Sequence, residues 1–167
     1  MLAQDTKAQG TVVRASALIA VPWANGGGHT RIITDTERFR LSLATIAGEG
    51  PFSTFPGLIR HFALVEGKVE LSLAAHALDA TAPPLTFAGT VAVYATPLNG
   101  PALALNLMVP VDRAPLRLER CEGAAGMDVL AVFAIEPVIA AGMAMAAHDT
   151  LFPTGPVDVS GRALVVR

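Results

Sequence analysis

At 167 residues the chain has room for one domain, or two small fused lobes, around a buried core. Its net charge is −2, and its densest basic interval, Arg113 to Arg120, holds three Arg and one Glu, which argues against nucleic acid as a partner. An apolar share of 52% against 16% charged suits strands buried on one or both faces, or an interface between copies.

The opening Met1-Leu2-Ala3-Gln4-Asp5 has neither a basic nor an apolar signal region, and the first ten residues are expected to fray. Cys121 is the single cysteine, which excludes an internal disulfide and any multi-cysteine metal site, and a cytoplasmic home follows as the simplest expectation. No charge occurs between Asp79 and Asp112, but Pro83, Pro84, Pro97, Pro101 and Pro110 cut that interval into pieces of at most twelve residues. A spanning helix needs about 20. No membrane partner is expected, and the interval reads as buried strands.

In chain order, the glycine run Asn25-Gly26-Gly27-Gly28 leads into a strand from Thr30 to Thr34. Phe39, Leu41 and Leu43 alternate with Arg38, Arg40 and Ser42, the period of a strand. Gly50-Pro51 and Pro56-Gly57 then frame Phe52-Ser53-Thr54-Phe55. Alternation returns at Val69-Leu71-Leu73 and at Leu103-Leu105-Leu107-Val109, the latter interleaved with Ala104, Asn106 and Met108. Met127-Val129-Ala131-Phe133 and Val157-Val159 are shorter cases. Turn signals at Glu66-Gly67-Lys68, Asn99-Gly100-Pro101, Glu122-Gly123 and Gly155-Pro156 separate the runs. Short strands at such spacing indicate an all-β sandwich or barrel. Strand runs in both halves permit two lobes, approximately 11–80 and 81–167. Residues 137–147 are rich in Ala and Met, which favour helix, yet Gly142 suits a tight turn; strands or irregular structure is the reading adopted.

The run from Arg14 through Val21-Pro22-Trp23-Ala24-Asn25-Gly26-Gly27-Gly28-His29-Thr30-Arg31 resembles the HutD family, which includes the Ves proteins. So do Phe39-Arg40-Leu41-Ser42-Leu43-Ala44, the stretch from Gly50 to Arg60, and the hairpin from Phe62 to Leu71. Gly100-Pro101 with Asn106-Leu107-Met108 is similar to the family's second-lobe segment. The resemblance implies a cupin-like β-barrel of RmlC-like jelly-roll type, two lobes in one chain (a bicupin), paired as a homodimer. It further implies a regulatory role in histidine or other amino-acid catabolism and the binding of an acidic metabolite such as formylglutamate. Two family carboxylate positions are occupied by Ile32 and Ala104 here.

The glycine run could present N–H groups as an anion nest, or be only a demanding turn, and Asn25 suits either. Arg40 and Ser42 share a strand face that is either solvent-facing or turned into the barrel. Turned inward, Arg40, with Arg60 after Pro56-Gly57 and an Asn amide, could hold a dicarboxylate. The candidate ligand-binding set is Asn25, Thr30, Arg40, Ser42, Arg60, His61 and Asn106. Trp23, Phe52 and Phe55 read as core or rim packing.

Metal is not expected: His29, His61, His76 and His148 are scattered, with no His-x-His, and zinc or iron needs at least three ligands. No other cofactor is implied. There is no Gly-x-Ser-x-Gly elbow, Ser53 has no base nearby in sequence, and His148 and Asp149, as strand neighbours, would face apart. No catalytic residue can be named. Three classes stand: a metal-free acid-binding regulator, a metal-free cupin enzyme of isomerase or epimerase type using His61 or His29, and a structural dimer without ligand.

Overall fold

The computed structural model describes residues 9–126 and 128–167. The expected fraying of the first residues therefore falls, up to residue 8, outside the described residues, as does Met127. From Gly10 the chain is already in a strand, β1 (Gly10–Val13), followed by one 3-10 turn, Ala15–Ala17. Ten strands come next: β2 (Ala20–Pro22), β3 (Gly28–Asp35), β4 (Arg40–Ile46), β5 (Gly50–Pro51), β6 (Leu58–Glu66), β7 (Lys68–Leu71), β8 (Leu78–Asp79), β9 (Leu85–Ala88), β10 (Tyr94–Pro97) and β11 (Ala102–Pro110). The last six are β12 (Leu118–Gly126), β13 (Ala131–Ala134), β14 (Val138–Ala140), β15 (Met143–Met145), β16 (Thr150–Pro153) and β17 (Val157–Val166). The protein is all-β, and among the described residues no helix is long and apolar enough to cross a membrane.

Two compact units divide the strands. One is Leu18–Leu118; the other joins the described residues up to Ala17 with Glu119–Arg167. Strand spacing puts a boundary near residue 80, but β9 pairs with β6, β10 with β7, and β11 with both β4 and β6. Those pairings carry the first unit on to Leu118. Spacing reveals strands; it does not reveal their partners.

In the Leu18–Leu118 unit a six-stranded antiparallel sheet runs β2-β3-β4-β11-β6-β9, and a four-stranded sheet runs β5-β10-β7-β8. Ile46, Phe62, Leu64 and Ala104 of the larger sheet pack with Val69, Leu71, Val93 and Ala95 in one core. The central strands β4, β11 and β6 are buried on both faces, which explains why Leu41, Leu43, Leu105 and Leu107 are sealed while Ser42, Asn106 and Arg60 on the other face are buried too. Alternation marks two faces of a strand, and here neither faces bulk water.

Register fixes what meets what. Arg40 lies opposite Met108, Met108 opposite Arg60, and Arg60 opposite Phe87, so four strands contribute one row. The next row is Ser42, Asn106, Phe62 and Leu85.

The second unit holds a seven-stranded sheet ordered β1-β16-β13-β17-β14-β15, with β12 also paired to β17. Its core is built from Val132, Ala134, Leu151, Val159 and Val165 among others. Residues 137–147 form the β14–β15 hairpin, turned by Ala141 and Gly142 at φ of 48° and 75°. Two left-handed residues in a two-residue turn match the twist of the flanking strands, and this pairing overrides the helix preference of Ala and Met.

Candidate functional site

At one end of the Leu18–Leu118 core a cavity of about 300 Å³ opens between β3, β4, β6, β11 and the segments around Trp23 and Phe52. Six of the seven candidate residues line it: Asn25, Thr30, Arg40, Ser42, Arg60 and Asn106. Arg40 and Ser42 therefore turn inward. The reason is the register above, which stacks Arg40 and Arg60 on either side of Met108 and sets Asn106 beside Ser42.

Arg60 dominates the chemistry. Its residue exposure is 7%, and burial pushes its guanidinium down to about 10, still charged at neutral pH. Nε donates to Asn106 Oδ1 at 2.9 Å. Because a guanidinium only donates, the oxygen of Asn106 must face it, which leaves the Asn106 NH2 as a further donor. The Arg60 Cζ lies 4.5 Å from the centroid of Phe52, and 5.7 and 5.9 Å from those of Phe87 and Phe55. Aromatic faces hold the cation by its plane. With Nε engaged, the end edge carrying Nη1 and Nη2 is the part left for a bidentate acceptor. Among the described residues no carboxylate pairs with Arg60, and none lines the cavity.

Arg40 is held more loosely. Its Nε is shielded from solvent and makes no hydrogen bond, and its ion-pair partner, Asp35 Oδ2, is 4.0 Å away. Thr30 Oγ1 accepts from Trp23 Nε1 at 2.8 Å, fixing the indole as one wall. Gly28 makes that wall possible, since a Cβ there would run into the Thr45 carbonyl and the Trp23 ring. The glycine run is a turn and not an anion nest. Gly26, at φ 73°, donates to the Trp23 carbonyl, and Gly27 N–H donates to Asn25 Oδ1 at 2.9 Å, so neither amide is left for a ligand. The opposite wall is equally tied, with Phe52 N–H on Val93 O and Phe55 N–H on Gly89 O.

His61 is the exception. It neighbours Arg60 on β6 and so points to the opposite face, in the row of Leu107 and Leu41, where Nδ1 meets Thr86 Oγ1 at 2.9 Å. Burial pushes its pKa down. His29 pairs through Nε2 with Arg31 Nη1 at 2.9 Å, and His148 stacks on Phe133. No histidine lines the cavity, so neither His61 nor His29 is placed as its acid or base. Among the described residues no group of three or more His, Cys, Asp or Glu is placed to hold a metal.

A model of the HutD family matches residues 15–158. The chain belongs to the HutD family. HutD from Pseudomonas fluorescens SBW25, solved in a formate condition, superposes with a TM-score of 0.82 at 27% identity, covering 94% of this chain and 96% of that one. A conserved protein of unknown function from Pseudomonas aeruginosa PAO1 gives 0.73, also at 27% identity, with 93% and 95% covered. Protein Ves of Citrobacter koseri is 38% identical over 106 residues, a match spanning 58% of this chain and 56% of that relative.

Within this HutD chain the two positions at which the resemblance implies a family carboxylate have different surroundings. Ala104 is fully buried in the core beside Ile46, Phe62 and Leu64. Ile32 lies opposite Ser42 on β3 but is exposed. Met108 and Ser53 also line the cavity and were not among the candidates. Met108 was legible, since it shares a face with Asn106. Phe87 reaches Arg60 only through the β6–β9 pairing, for which the sequence carries no local signal.

Proposed function

We propose that this HutD protein is a metal-free binding protein for a small acidic metabolite, with a regulatory role in histidine or other amino-acid catabolism. One observation carries the reading: a buried guanidinium with a single protein acceptor faces a cavity that contains no carboxylate. Leaving a cation in such a place is costly unless an anion completes it. A carboxylate meeting the Nη edge of Arg60, with the Asn106 amide and the Ser42 hydroxyl beside it, would supply that completion through charge-assisted hydrogen bonds.

The cavity of about 300 Å³ matches the lower end of small-ligand sites. Arg40, across Met108 from Arg60, provides for a second acidic group, so a dicarboxylate of the size of formylglutamate fits the charge pattern. No lining side chain is a His, Asp, Glu, Lys or Cys, so the walls offer no group suited to general acid–base work near neutral pH, and binding is favoured over isomerase chemistry. The two compact units are read as the two barrels of a cytoplasmic bicupin that pairs as a homodimer.

A thermal-shift screen with formylglutamate, glutamate, urocanate and formate tests this, repeated on Arg60→Ala and Arg40→Ala. An acid present at 100 times its Kd adds about 2.7 kcal/mol to the stability of the wild type. Arg60→Ala loses that response to every acid. If no acid moves the wild-type midpoint, the proposal is wrong.

A further inference from the structure

We infer that Asp35 is an internal competitor for Arg40, weakening the protein's hold on the distal acidic group of a two-ended ligand while leaving the Arg60 end untouched. The inference rests on the acid-binding reading and assigns a specificity-setting role to a residue outside the cavity wall.

The argument begins with a bulge. On β3, Thr30 lies opposite Ala44 and Ile32 opposite Ser42, so regular pairing would set Thr34 against Arg40. The register instead shifts between Ile32 and Thr34, and Asp35 takes the position opposite Arg40. A bulge inserts one residue and re-aims the side chains beyond it. Here the extra residue brings a carboxylate to the end of the row Arg40, Met108, Arg60, Phe87.

The two arginines of that row are held in unlike ways. Arg60 is gripped by one short hydrogen bond and three aromatic rings. Arg40 is attracted to Asp35 across 4.0 Å without a hydrogen bond, and the two side chains are 33% and 58% exposed. The Nε itself is shielded from solvent, but with both side chains part-exposed and no hydrogen bond formed the ion pair is weak. A ligand carboxylate at the cavity mouth can take Arg40 from Asp35 at little cost, but it must compete for it. The proximal carboxylate at Arg60 meets no such competitor. A diacid is therefore sensitive to Asp35, and a monoacid is not.

Isothermal titration calorimetry on the full chain at low salt, with glutarate as diacid and butyrate as monoacid, separates the possibilities. Asp35→Asn is expected to tighten glutarate by about two- to fivefold, the range an exposed ion pair supports, with butyrate unchanged. The gain should shrink as salt is raised and vanish when Arg40→Gln is added to Asp35→Asn. Equal tightening of both acids would show a general field effect and overturn the inference, as would no change in either. If wild type and Asp35→Asn bind neither acid, the acid-binding reading fails and this inference goes with it. If butyrate and glutarate bind wild type equally and Arg40→Gln alters neither, the acid site stands and only the role of Asp35 and Arg40 is lost.

Discussion

Asn106 Oδ1 accepts the Arg60 Nε–H at 2.9 Å, two side chains brought together from residues 46 apart in sequence. The pair is buried, yet most of the guanidinium's donors have no protein acceptor. Arg60 has five donors and spends one on Asn106. Such an arrangement sacrifices stability for readiness toward an anion, which gives a clear mutational signature.

Asn106→Asp puts a permanent carboxylate where the amide oxygen stands. Charge-assisted bonding replaces a neutral acceptor, so the unliganded protein should gain about 1–2 kcal/mol. The same substitution neutralises the cation that an acid would meet, and the thermal response to acids should disappear. Urea denaturation and the acid screen read the two effects separately. A variant that is more stable and still binds acids normally would contradict the role given to Arg60.

How much of this was legible beforehand depends on the physics involved. Period-two alternation correctly grouped Arg40 with Ser42, and Ala104 with Asn106 and Met108, because strand geometry fixes shared faces locally. It could not say which face encloses a cavity. That choice is made by the pairing of β4, β11 and β6, a long-range register that no residue announces. His61 shows the same limit from the other side. It sits next to Arg60 and is chemically attractive, but adjacency on a strand means opposite faces. Residues 137–147 read as strands or irregular structure despite the helix preference of Ala and Met, and the β14–β15 pairing agrees with that reading.

His61 carries its own pH signature. Burial holds its folded-state pKa below the unfolded value of about 6.5. The unfolded chain therefore binds the proton first as pH falls. The contribution of His61 to stability is complete above about pH 6.5 and is lost as pH drops from there toward the folded pKa. Denaturant curves at pH 7, 6 and 5 should show stability declining, by at most about 1.4 kcal/mol per pH unit for one group. In His61→Gln, which keeps a polar partner for Thr86, that part of the slope should be missing. Identical slopes in both proteins would remove the assignment.

Asp149 ties down the start of the described chain. Its Oδ1 accepts the Ala15 N–H at 2.9 Å, and its Oδ2 accepts from Arg14 Nη1 at 2.7 Å and from Ala146 N–H at 3.0 Å. Burial alone would push this carboxyl up, but the Ala15 amide, Arg14 and the Ala146 amide together outweigh it and hold the pKa down. A depressed carboxyl stabilises the fold above its unfolded value of about 3.9, and that contribution is lost as pH falls through the folded value. Removing the side chain leaves the Ala15 and Ala146 amides without their acceptor, and Arg14 Nη1 with the Ala144 carbonyl alone, at 3.3 Å. Asp149→Ala should therefore cost about 2–4 kcal/mol, reduced from the full price of a buried pair because Arg14 is half exposed. Hydrogen exchange at the Ala15 and Ala146 amides should accelerate, and the acid-induced loss of stability below about pH 4 should flatten relative to wild type. Unchanged exchange at both amides would mean that the carboxylate is not what fastens Arg14 and Ala15 to the turn after β15.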